Sequence, residues 1–112
     1  MSLFALKDRH CNASVGALTP DQLAHFLLQV PGWVVQDRQL TASFAFKDYH
    51  QTIDFVNAMA NMTHAEDHHP ELVVNYNRID VRYQTHSVGA LSENDFICAA
   101  KVNALVAQRA GA

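Results

Sequence analysis

The chain has 112 residues, 49 % of them apolar and 17 % charged, a composition that folds as one globular domain and excludes a disordered or low-complexity chain. A formal charge of -3, with lysines and arginines scattered singly, offers no basic footprint for nucleic acid and no polybasic anchor for anionic lipid. Direct binding to DNA or to a membrane is therefore not expected. At the start, Leu3 to Leu6 give way at once to Lys7, Asp8 and Arg9, far short of a signal-peptide core or a membrane span. The expected location is cytoplasmic, with residues to about 17 as an N-terminal extension of a single domain over 1–112. Cys11 and Cys98, without a CxxC pattern, are expected as free thiols.

Taken in chain order, "TPDQLAHFLLQV" opens with Thr19 as an N-cap, Pro20 at the first helical position and Gln22 three residues after the cap. This is a capping-box pattern, and Leu23, Phe26, Leu27 and Val30 follow at helical spacing until Pro31 and Gly32 close the helix. In "WVVQDRQLTASFAF", Leu40, Ala42, Phe44 and Phe46 alternate with smaller or polar residues. That period of two predicts two strands joined by a turn near Asp37 and Arg38. From about Tyr49 to His68 helical spacing returns, with Ile53, Val56, Met59 and Ala60 on one stripe, and Pro70 sets the end of the helix.

A second alternating stretch places Leu72, Val74 and Tyr76 on one strand and Ile79, Val81 and Tyr83 on the next, around a turn at Asn77 and Arg78. Tyr76 reads as a core aromatic of this hairpin. The last element, "LSENDFICAAKVNALVAQ", starts with Ser92 as N-cap and Asp95 as its capping-box partner. It is apolar over more of its circumference than packing on a sheet requires, which asks for cover from another subunit. The order helix-strand-strand-helix-strand-strand-helix predicts an α+β fold, a four-stranded antiparallel sheet with three helices on one face.

The densest chemistry lies in "HAEDHHP", His64 to Pro70. His64 and His68 are four apart, which on a helix puts them on one face and makes zinc worth weighing. Against zinc, Glu66 does not stand where the HExxH motif needs it, and no cysteine is near; no metal site is expected. Histidine moves its proton near neutral pH, so three of them beside Glu66 and Asp67, with His86 arriving from the end of a strand, suit general acid and base work. Pro70 forces His69 into an extended conformation, so His68 and His69 can address different atoms of one flat ligand.

The stretch "HAEDHHPELVVNYNRIDVRYQTHSVGALSEND" resembles the signature of the pterin-4a-carbinolamine dehydratase family, with His64, His68, His69, Pro70, Tyr76, His86 and Asp95 at its fixed places. "PGW" at Pro31 to Trp33, "FAFKDY" at Phe44 to Tyr49 and "GALSENDF" at Gly89 to Phe96 resemble family segments in the same order, so the likeness runs from about Thr19 to Ala107. His64 stands where some members carry glutamate.

The resemblance implies loss of water from a 4a-hydroxytetrahydropterin to give quinonoid dihydropterin, with no metal and no organic cofactor. It implies His68, His69 and His86 as the catalytic histidines, with His64, Asp67, Asp95, Trp33 and Pro70 binding substrate or supporting them. It also implies a homodimer or homotetramer and a functional link to an aromatic amino acid hydroxylase. Two other readings are a non-catalytic oligomeric binding module and a pterin-binding protein of another pathway, such as molybdopterin metabolism.

Overall fold

The computed structural model describes residues 5–110, and its element order is the one the periodicity predicts, preceded by a short 3-10 turn at Leu6–Asp8. Helix α1 covers Pro20–Leu27, and both capping-box bonds form: Thr19 Oγ1 accepts from Gln22 N at 3.2 Å, and Gln22 Oε1 accepts from Thr19 N at 3.0 Å. Strands β1 (Val34–Gln36) and β2 (Gln39–Ala45) are joined by Asp37 and Arg38, both at positive φ, the backbone of a tight hairpin turn. Helix α2 spans Tyr49–Glu66 and begins at Asp48, whose carboxylate accepts from Gln51 N at 2.9 Å. Strands β3 (Glu71–Val74) and β4 (Arg78–Tyr83) form the second hairpin, and α3 runs from Glu93 to Ala110.

All strand pairs are antiparallel, in the order β1-β2-β4-β3. Register sets Leu40 opposite Tyr83, Ala42 opposite Val81 and Phe44 opposite Ile79. Those residues share one face and meet Phe55 and Met59 of α2 and Phe96, Ala99 and Val102 of α3 in a continuous core. Thr41, Ser43, Asp80 and Arg82 take the alternate positions and leave the other face polar, as a one-sided antiparallel sheet requires. Helix α1 joins through α3, where the Phe26 and Phe96 rings stack at 5.7 Å. No helix among the described residues is long and apolar enough to cross a membrane.

One expectation needs correcting. Tyr76 is 65 % exposed and stacks on Tyr49 instead of entering the core, because the strand ends at Val74 and the connection turns outward. The wide apolar surface of α3 is covered, over its first turns, by segments of the same chain: Leu6 is buried in the core, and Phe26 packs from α1. Lys101 Nζ reaches back to the carbonyl of Lys7 at 2.8 Å.

Candidate active site

Helix α2 stops earlier than His68. Asp67 takes the left-handed conformation and caps the helix, its N–H bonded to the carbonyls of His64 and Thr63. His68 therefore leaves the helix, which undoes the expected one-above-the-other arrangement with His64. His64 stays exposed on α2 and lines no part of the cleft described below.

Once released from the helix, the His68 ring is held from two sides. Its Nε2 is 2.6 Å from Asp95 Oδ1, and its ring lies parallel to that of Tyr83, with centroids 5.5 Å apart and an interplanar angle of 8°. Asp95 is fully buried at the start of α3. Its Oδ2 accepts from Ser92 N and from Thr85 Oγ1, both at 2.9 Å, and Thr85 Oγ1 also contacts Ser92 Oγ at 2.6 Å. The capping position foreseen for Asp95 is thus real but uses one oxygen; the other faces the histidine. Donation from Nε2–H to this carboxylate oxygen leaves Nδ1 as the second ring nitrogen for a ligand.

Beneath the pair, Tyr83 is buried, and its hydroxyl has no hydrogen-bond partner among the described residues. Burial pushes the phenol well above its ordinary range, so it stays neutral. Trp33 touches the far end of this stack, 6.2 Å from Tyr83, while its Nε1 donates to Asn103 Oδ1 at 2.9 Å. It lies in the core, packed against Phe44 and Tyr83, and does not line the cleft. Replacing Tyr83 by phenylalanine should keep the stack and remove an unpaired buried hydroxyl, leaving thermal stability equal or raised by up to about 1 kcal/mol. A melting temperature lower by several degrees would contradict this.

A cleft of about 650 Å³ opens over these groups, a size suited to a small flat ligand. Of the residues singled out in the sequence, it gathers His68, His69, His86, Asp67 and Pro70. His69 and His86 are exposed at its rim, whereas only 11 % of the His68 side chain reaches solvent. His86 sits on a 3-10 turn, His86–Val88, stabilised by the bridge between Thr85 and Ala90. Among the described residues no group of three His, Cys, Asp or Glu side chains could hold a metal ion.

The cleft also includes residues that the sequence reading passed over: Thr85, Ser87 and Asn94, and from the N-terminal extension Asn12, Ala13 and Val15. Their signal is weak, since none belongs to a residue type that carries proton chemistry. Glu66, noted only as a neighbour of the histidines, turns out to hold this extension: Oε1 accepts from Cys11 N at 2.7 Å, and Oε2 lies 2.9 Å from His10 Nδ1 and 3.6 Å from Lys101 Nζ. Burial works to raise its carboxyl, but the Cys11 N–H, His10 and Lys101 outweigh it and hold the group below its ordinary 4.5. A folded-state value below the unfolded one stabilises above about pH 4.5, and the gain is lost as pH falls through the folded value. The extension should therefore loosen in acid, seen as faster amide exchange at Cys11, and Glu66→Gln should flatten that pH dependence.

Cys11 and Cys98 are both free, with Sγ atoms 3.5 Å apart. The contact with Cys11, together with burial, pushes the Cys98 thiol far above its ordinary range, so it is not a thiolate at neutral pH.

The family model described as "Pterin 4 alpha carbinolamine dehydratase" matches residues 16–105. A protein of Bdellovibrio bacteriovorus named "Putative pterin-4-alpha-carbinolamine dehydratase" is 55 % identical over 93 residues, 80 % of this chain and 78 % of that one. A like-named protein of Xanthomonas campestris is 50 % identical over 111 residues, 95 % of this chain and 94 % of its own. Among solved structures, a Brucella melitensis "transcriptional coactivator/pterin dehydratase" superposes with a TM-score of 0.76 at 36 % identity, covering 80 % of this chain and 97 % of that one. A "pterin dehydratase-like protein" described as a RuBisCO assembly factor in the alpha-carboxysome gives 0.58 at 27 % identity, covering 66 % and 88 %. With the family match spanning most of the chain and these relatives aligned over most of their own lengths, the chain belongs to the pterin 4-alpha-carbinolamine dehydratase family.

Proposed function

We propose that the protein removes water from a 4a-hydroxytetrahydropterin to give quinonoid dihydropterin, with His68 as the central proton-transfer group. The observation that carries this reading is the His68–Asp95 bond of 2.6 Å at the floor of a cleft shared with His69 and His86. A buried carboxylate behind an imidazole fixes its tautomer and orientation, the arrangement general acid and base catalysis needs.

The chemistry asks for little more. Hydroxide leaves carbon 4a poorly by itself, but the ring nitrogen bonded to that carbon can push it out with its lone pair. One imidazole donates a proton to the departing oxygen, the carbon–oxygen bond breaks, and water forms. A ring N–H proton then returns to an imidazole, so the protein ends as it began. In this scheme His68 and His86 handle the proton nearest the hydroxyl, and His69 orients the flat ring. No metal or organic cofactor takes part, and a chelator should leave the rate unchanged.

Binding provides the test. Titrating the protein with 7,8-dihydrobiopterin while following the imidazole signals by NMR should shift His68, His69 and His86 together and leave His64, outside the cleft, in place. Saturating pterin without any shift at these three would contradict the assignment.

A further inference from the structure

Residues 9–15 lie before the region that the family model matches, yet they make contacts that bear on the two groups of the catalytic pair. Cys11 N and His10 Nδ1 bind the Glu66 carboxylate, two residues before His68. Asn12 is bonded twice to Asn94, the residue before Asp95: its N–H donates to Asn94 Oδ1 at 3.0 Å, and its carbonyl accepts from Asn94 Nδ2 at 2.8 Å. Arg9 pairs with Glu93 one residue earlier. The segment therefore spans from the end of α2 to the start of α3, the two elements whose ends supply His68 and Asp95.

The anchors are not surface decoration. Only 5 % of the Glu66 side chain is exposed, and Asn94 is buried. With the segment docked, its backbone groups satisfy the Glu66 carboxylate at one helix end and the Asn94 amide at the other. Docking is thus coupled to the local order of both helix ends. Past Asn12 the chain turns, Asn12 Oδ1 accepting from Ser14 N at 2.9 Å, and this turn sets Ala13 and Val15 along the margin of the cleft.

We propose that residues 9–15 are a working part of the site: residues 9–12 clamp the α2 and α3 ends that present His68 and Asp95, and Asn12, Ala13 and Val15 form the wall against which the pterin is seated. Glu66 and Asn94 are positioning residues in this arrangement. The nature of the ligand rests on the dehydratase reading; the clamp does not.

Ala13 is exposed at the turn, so Ala13→Trp should fold normally while narrowing the cleft. Its affinity for 7,8-dihydrobiopterin, read by fluorescence titration, is expected to fall by about tenfold or more, with KM rising and kcat little changed. An affinity within about twofold of wild type in a normally folded Ala13→Trp protein overturns the wall. The clamp is read separately, by amide exchange at Cys11 and Asn12 and by the His68 imidazole signals in Glu66→Ala against wild type. Faster exchange with displaced His68 signals upholds it, and unchanged exchange or unmoved His68 signals overturn it. Should wild type bind no pterin at all, the dehydratase reading and the wall fall together, while the exchange experiment still decides the clamp.

Discussion

Replacing His68 by alanine is expected to lower the dehydration rate by about 10²-fold, the usual worth of a positioned proton-transfer group, while the protein stays folded. Folding should survive because His68 lies outside both helix and strand, and its loss opens space toward the cleft instead of inside the core. The change does strip Asp95 of one donor, but Ser92 N and Thr85 Oγ1 remain on its other oxygen. Circular dichroism and melting would confirm an intact fold, and added imidazole should restore part of the rate. His64→Ala, outside the cleft, should change the rate by less than about threefold. Equal losses for both variants would show that the six residues of "HAEDHH" act as a charged surface and not as a site.

Asp95 is expected to couple chemistry and stability. Alanine at this position would leave Ser92 N, Thr85 Oγ1 and His68 Nε2 without their shared acceptor at a fully buried place, a loss of about 3 kcal/mol or more. For a domain of this size that corresponds to a melting temperature lower by roughly 10 °C or more. Asparagine keeps the shape but turns one acceptor into a donor facing existing donors. Asp95→Asn should therefore lose less stability than Asp95→Ala, about 1–2 kcal/mol, yet lose activity comparably to His68→Ala, because the His68 tautomer is no longer fixed. If Asp95→Asn kept wild-type turnover, Asp95 would be a helix cap and nothing more.

How the sequence anticipates this molecule differs by element. Helices and strands were legible because burial on one face imposes a period on side chains: Leu40, Ala42 and Phe44 alternate, and Val30 and Met59 fall where the core needs them, although α2 buries Thr52, Phe55, Met59 and Thr63 and leaves Ala60 of the expected stripe exposed. Turn and cap chemistry also reads locally, as at Thr19 with Gln22 and at Asp37 with Arg38. The gathering of His68, His69, His86 and Asp95 was legible only through spacing known from relatives, since His86 reaches the cleft across the β3–β4 hairpin and no local period foretells that.

Three features stayed hidden for physical reasons. Proline at 70 restricts only the residue before it, so nothing in the pattern required Asp67 to adopt the left-handed conformation that releases His68. Trp33 carries the same signal whether it faces a core or a ligand, and packing against Phe44 and Tyr83 decides for the core. The role of residues 9–15 depends on long-range bonds from Glu66 and Asn94 that leave no periodic trace.

Whether His68 held by Asp95 moves the proton that releases water from the pterin is decided by watching the reactant disappear. Phenylalanine hydroxylase supplies the 4a-hydroxytetrahydropterin under conditions where its spontaneous dehydration is slow, and its ultraviolet decay is followed with wild-type protein, with His68→Ala and with neither. Faster decay with wild type, falling back nearly to the uncatalysed rate with His68→Ala, is expected. Decay unaffected by well-folded wild-type protein, or equally fast with the variant, would contradict it.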